Sequence, residues 1–145
     1  MQVDFYHLAA PLDRVLPRIA ERVVDGGGRL LVVAGDDALL ARLDERLWSY
    51  APESFLPHGR AGADGEADQP VLLSARPEPA NGARAIALAD GVWREEALGF
   101  DRAFHFFDES NVAAARAAWK GLASRDGVER RYWKQDEAGR WTQAA

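Results

Sequence analysis

A chain of 145 residues, 48% hydrophobic and 28% charged, can bury a continuous core without disulfides or a structural metal. It contains no cysteine, which excludes disulfides, thiolate metal sites and cysteine nucleophiles. The net charge is −5, with 11 Lys/Arg against 19 Asp/Glu in residues 1–109 and 7 against 4 in residues 110–145. Most of the surface should therefore repel nucleic acid, and only the C-terminal third tolerates an anionic partner.

No apolar run approaches the roughly 20 residues that cross a bilayer. The opening MQVDFYHLAA has an early acidic residue and no basic stretch, so no secretory signal is expected. Together these features predict a cytoplasmic protein of one domain, residues 1–145.

Val3–Leu8 alternates and carries aromatics, which predicts a first strand. Leu12, Val15, Leu16, Ile19, Ala20 and Val23 then recur at helical spacing. Pro11 suits the first turn of that helix, whereas Pro17 implies a kink or a later start. Gly26-Gly27-Gly28 should stop the helix. Arg29–Ala34, RLLVVA, is a continuous apolar run and predicts a strand buried on both faces. Asp36 and Asp37 open a second helix carrying Leu39, Leu40, Leu43, Leu47 and Trp48, and Pro52 ends it. A short strand is expected after it, and residues 60–69 read as loop. Val71–Ser74, Ala85–Leu88 and Ala103–Phe107 are three further short strands. The second connection between them, DGVWREEALGFDR, has room for one helical turn. Residues 111–123 form an alanine-rich helix, and Glu129–Lys134, ERRYWK, predicts an edge strand, with Trp141 beyond a turn. Alternating strands and helices imply a three-layer α/β fold with a mainly parallel sheet.

Catalytic patterns are sparse. The three glycines close a helix and precede a strand, the reverse of a phosphate-binding loop. Asp36 and Asp37 follow a buried strand, but capping explains them better than a metal, because no third ligand is near in sequence. His7, His58 and His105 are scattered, and His105, within AFHFF, reads as packed in the sheet. No catalytic residue, metal site or cofactor is predicted. The competing reading is a small-molecule or nucleotide-binding enzyme using the strand ends near Gly35–Asp37. Direct nucleic-acid binding is disfavoured by charge.

Two surfaces stand out instead. Arg116, Trp119 and Lys120 lie at i, i+3 and i+4 on one helical face. Turned outward, they would suit an acidic peptide with an aromatic end. Turned inward, Trp119 would join the core and the cations would merely be solvated. The second surface gathers Trp48, Phe55, Pro57 and His58 near a helix exit. It reads either as a partner site or as the cover of a sheet edge.

L-D-x-x-L-W at 43–48 and E-S-F-x-P-H at 53–58 resemble the signature region of the chi subunit of bacterial DNA polymerase III. The F-Y strand, the R-L-L-V-V-A strand and the late R-x-x-W-K helix extend the resemblance over nearly the whole chain. That family implies a Rossmann-like fold and a non-catalytic accessory role in the clamp loader. It implies binding of the acidic C-terminal tail of single-stranded DNA-binding protein and, separately, of the psi subunit. Transferred by matching positions, the tail falls to Arg116, Trp119 and Lys120, and psi falls to Trp48, Phe55, Pro57 and His58. The chain departs from the family in its acidic 60–70 loop. It also has Val112 and Ala113, rather than a second basic residue, one turn before Arg116. Arg130 and Arg131 are the candidates to substitute.

Overall fold

The computed structural model describes residues 1–51 and 56–145. Among these, eight strands form a single sheet. In chain order the elements are β1 (Gln2–His7), α1 (Leu12–Asp25), β2 (Leu30–Val33), α2 (Asp37–Ser49), β3 (His58–Arg60), β4 (Val71–Ser74), β5 (Ala85–Leu88), β6 (Arg102–Phe107), α3 (Val112–Leu122), β7 (Glu129–Gln135) and β8 (Trp141–Gln143). Short 3-10 turns occupy Glu66–Asp68, Glu95–Gly99 and Glu109–Asn111.

The sheet runs β3-β4-β2-β5-β6-β1-β7-β8, with every neighbouring pair parallel except β7 and β8. A three-residue strand stands at each edge, β3 on one side and β8 on the other. The edge position predicted for β7 is thus corrected. It lies between β1 and β8, because the residues around Trp141 fold back antiparallel along its outer side.

Every residue of β2 is buried, as parallel strands with helices on both faces require. Its side chains divide by alternation. Leu30 and Val32 join a core with Leu16 and Ala20 of α1 and Leu40, Leu43 and Leu47 of α2. Leu31 and Val33 join a second core with Phe5, Ile86, Leu88 and, from α3, Ala115 and Leu122. Each leucine so enclosed contributes about 2 kcal/mol, so the sheet is fixed between the two helical layers by this double apolar face.

Local signals account for the helix boundaries. Pro11 precedes the first residue of α1, and the helix runs through Pro17 rather than starting after it. At its end, the amides of Gly26 and Gly28 donate to the carbonyls of Arg22 and Val23 at 3.1 and 2.9 Å. Gly27 adopts φ 84°, a left-handed value that glycine reaches without penalty. Asp36 caps α2 by accepting from the Ala38 amide at 2.9 Å.

Candidate docking surfaces

The turn before α3 organises the first surface. Asp108 accepts from the Ser110 amide at 2.9 Å, and its own amide donates to Asn111 Oδ1 at 2.8 Å. This reciprocal cap launches α3 over β1 and β7. Arg116 and Lys120 lie one turn apart and are exposed, while Trp119 is half-buried between them.

The indole of Trp119 meets the Phe5 ring of β1 at 5.3 Å and the Tyr132 ring of β7 at 5.5 Å, both at 90°. Arg130 of β7 covers it. The guanidinium carbon lies 4.0 Å from the indole centroid, and Nη1 donates to the Trp119 carbonyl at 2.7 Å. A cation over an aromatic face in a partly shielded site contributes about 1 kcal/mol. The ring is therefore neither sealed in the core nor freely displayed. It is seated on the sheet beneath a guanidinium.

Strand alternation adds to this surface. Tyr132 is in register with Phe5, so Arg130, Tyr132 and Lys134 share the α3 side. Burial raises the pKa of the Tyr132 hydroxyl, and the nearby Arg116, which hydrogen-bonds to it, works in the opposite direction. Arg131 lies on the other side with Trp133, whose ring stacks at 6.4 Å on Tyr6, and it pairs with Glu129 at 2.9 Å. Arg130 and Arg131 consequently cannot serve the same surface. Among the described residues neither Arg116 nor Lys120 forms an ion pair. The nearby carboxylate of Glu109 is engaged by His7 at 2.9 Å. The sequence reading passes over Tyr132 and Lys134, although the two-residue alternation in ERRYWK was the signal that could have found them.

The second surface lies at the end of α2. Trp48 is 57% exposed on the last turn, and its ring meets that of His58 at 4.7 Å and 60°. His58 itself is buried. Its Nε2 lies 2.8 Å from Asp44 Oδ1 and its Nδ1 lies 2.8 Å from the Leu56 carbonyl. The imidazole therefore pins β3 to α2 and supports Trp48 from below. Its expected place on an exposed partner face is corrected by its burial. Pro57 is half-buried, whereas Phe55 and Pro52 lie outside the described residues.

The strand ends near Gly35–Asp37 form a cleft of about 600 Å³ whose lining includes Asp13, Asp36, Asp90, Asp108 and Arg42. The Gly35 amide, which could face a phosphate, already donates to Asp90 at 2.8 Å. Arg94 grips both oxygens of Asp90 at 2.8 and 2.9 Å. Burial pushes the Asp90 pKa up, but the hydrogen bonds from Arg94 and the backbone outweigh it and hold the carboxyl below its ordinary value. An acidic cleft with its amide committed offers little to a nucleotide.

His105 is fully buried, with neither ring nitrogen hydrogen-bonded. It is wedged against Phe5 and Trp93 at 5.2 and 5.6 Å. Burial drives its pKa down to about 4, and the ring sits among Phe5, Trp93 and Phe107 and does not line the cleft described above, which is a packing signature rather than a catalytic one. Among the described residues no group of three His, Asp or Glu is placed to hold a metal.

Residues 1–129 match the family described as DNA polymerase III chi subunit, HolC. The DNA polymerase III subunit chi of Pseudomonas aeruginosa is 39% identical over 84 residues, which cover 55% of this chain and 58% of that protein. The DNA polymerase III subunit chi of Escherichia coli K12 is 33% identical over 63 residues, covering 43% of each. The chain thus spans 43–58% of the length of these two relatives. Arg116, Trp119 and Lys120 fall inside the family match, and Arg130, Tyr132 and Lys134 fall beyond its end at Glu129.

Proposed function

The chain belongs to the DNA polymerase III chi subunit family, and from that premise we propose that it is a non-catalytic accessory subunit of the clamp loader. In this reading a single chi-like domain, residues 1–145, binds the acidic C-terminal tail of single-stranded DNA-binding protein in the cytoplasm. No helix among the described residues is long and apolar enough to cross a membrane. Helices on both faces of a mostly parallel sheet support a Rossmann-like reading of the fold, although the glycine loop of dinucleotide binders is absent from the sequence.

The observation that carries the tail reading is the couple Arg116 and Lys120, without an ion-pair partner among the described residues, flanking an indole that Arg130 holds in place. Arg116 can fork onto a carboxylate, Lys120 supplies a point charge, and Trp119 with Tyr132 offers an apolar seat for a terminal ring. Lys134 extends the positive field along β7.

Titration with a synthetic acidic peptide ending in Asp-Phe-Pro-Phe tests this reading. Saturable binding that weakens as salt rises is expected. Arg116→Ala should reduce affinity by about 1.5–3 kcal/mol. Absence of saturable binding at low salt defeats the proposal, and unchanged affinity in the variant removes Arg116 from the site.

A second contact, with the psi subunit, falls to Trp48 and Pro57, with His58 as the support beneath them. The 57% exposure of Trp48 favours it, since aromatic anchors dominate interface energetics. Phe55 belongs to this proposal by sequence alone. Co-purification with psi that survives Trp48→Ala unchanged would count against it.

A further inference from the structure

Helix α1 carries a second cationic feature, on the opposite side of the sheet from α3. Arg14, Arg18 and Arg22 recur at every fourth residue, all exposed, so their guanidiniums form one ladder along the helix. Among the described residues none of the three is hydrogen-bonded through its side chain or ion-paired, whereas Arg60, Arg84, Arg94, Arg102, Arg125 and Arg131 each grip a carboxylate.

Among the described residues no carboxylate of α1 is ion-paired with the ladder. Glu21 accepts from the Tyr50 hydroxyl at 2.6 Å and, with Asp25, lines the cleft toward α2, which the three arginines also border. Asp13 faces the strand-end cleft. On the sheet side the ladder borders a groove of about 370 Å³ with no acidic residue in its lining. Tyr6, Val15 and Ile19 contribute an apolar floor, and Trp141 stands at the far wall beside the turn at Ala138 and Gly139.

We propose that this groove is a third docking site, which takes an extended acidic segment of a partner protein with carboxylates on alternate residues. Successive guanidiniums are separated by about 6 Å of helix rise. Alternate residues of an extended chain are separated by about 6.6 Å. One side of such a segment therefore meets the ladder rung by rung through forked Arg–carboxylate pairs. The intervening residues point toward Trp141 and favour apolar side chains.

Two observations select a peptide over single-stranded nucleic acid. A nucleic-acid strand needs free aromatic plates for its bases, but the Tyr6 ring already stacks on Trp133 at 6.4 Å and on Phe106 at 5.2 Å. A longer polyanion would also overhang Asp13, Glu21 and Asp25 on a chain of net charge −5, and be repelled.

The probes are a short synthetic peptide of alternating glutamate and leucine and a thymidine oligonucleotide, each titrated at low salt into the isotopically labelled full chain. The peptide should shift the Trp141 indole resonance and the α1 amides saturably. It should do so equally in Arg116→Ala, which separates this groove from the α3 surface. The combined variant Arg14→Ala/Arg18→Ala/Arg22→Ala, checked for an unchanged melting curve, should lose affinity at this groove by about tenfold or more. If the combined variant does not fold, Arg18→Glu alone should produce a loss in the same direction. The proposal is overturned by any of three results: no saturable shift at Trp141, equal affinity after the arginines are removed, or tighter binding of the oligonucleotide than of the peptide at this groove.

Discussion

Trp119 and Trp48 both stand near the surface, yet the chain treats them differently. Trp119 is half-buried, set edge-on against Phe5 and Tyr132 and covered by Arg130. Trp48 is 57% exposed and rests against the buried imidazole of His58. The first indole is part of the packed sheet face and also shapes the proposed charged receptor, while the second stands mostly outside the core with a buried imidazole beneath it. A tryptophan that is costly to remove and one that is cheap to remove thus both sit at candidate docking faces, and stability separates them.

The largest expected effect tests the foundation under Trp119. His105 touches Phe5, the ring on which Trp119 sits. Its folded pKa of about 4 lies below the ordinary 6.5, so above pH 6.5 both folded and unfolded chains carry it neutral and stability is complete. As the pH falls, the unfolded chain takes up the proton first. Stability should drain by on the order of 3 kcal/mol between about pH 6.5 and 4. Urea unfolding across that range should show this loss relative to His105→Phe, and identical pH profiles would sink the assignment.

Trp119→Ala should cost about 2–3 kcal/mol in the same assay, below the usual cost for an enclosed tryptophan because the ring is only half-buried. His58→Ala should cost about 1–2 kcal/mol by freeing the tie between Asp44 and the Leu56 carbonyl. Trp48→Ala should change stability by less than about 0.5 kcal/mol. If Trp48→Ala proves as destabilising as Trp119→Ala, the contrast between the two regions collapses.

Local chemistry made much of the fold legible. The unbroken LLVV run announced a strand buried on both faces, Asp36 announced a cap, and the glycines announced the end of α1. These features depend on neighbours within a few residues. Strand order does not, and β7 became an internal strand only because Trp141–Gln143 returned to pair with it. The candidate receptor was half legible for the same reason. Helical spacing put Arg116, Trp119 and Lys120 together. The cover supplied by Arg130 comes from another element, 11 residues on, and no helical pattern reports it. His58 could not be placed from the sequence, because the Asp44 carboxylate and the Leu56 carbonyl that let it be buried are not reported by any local pattern.

The three-residue strands at the two sides of the sheet, β3 and β8, bear on how the molecule behaves in a crowded solution. An open sheet flank templates lateral growth in proportion to the length of unpaired backbone that it offers. Here the long hydrophobic strands are confined to the interior, and each flank ends in a stub too brief to seed a stack. Arg60 and Asp37 further place a charged clasp at the β3 flank. The chain can thus keep an exposed aromatic such as Trp48 on display without inviting amyloid-like polymerisation through its backbone.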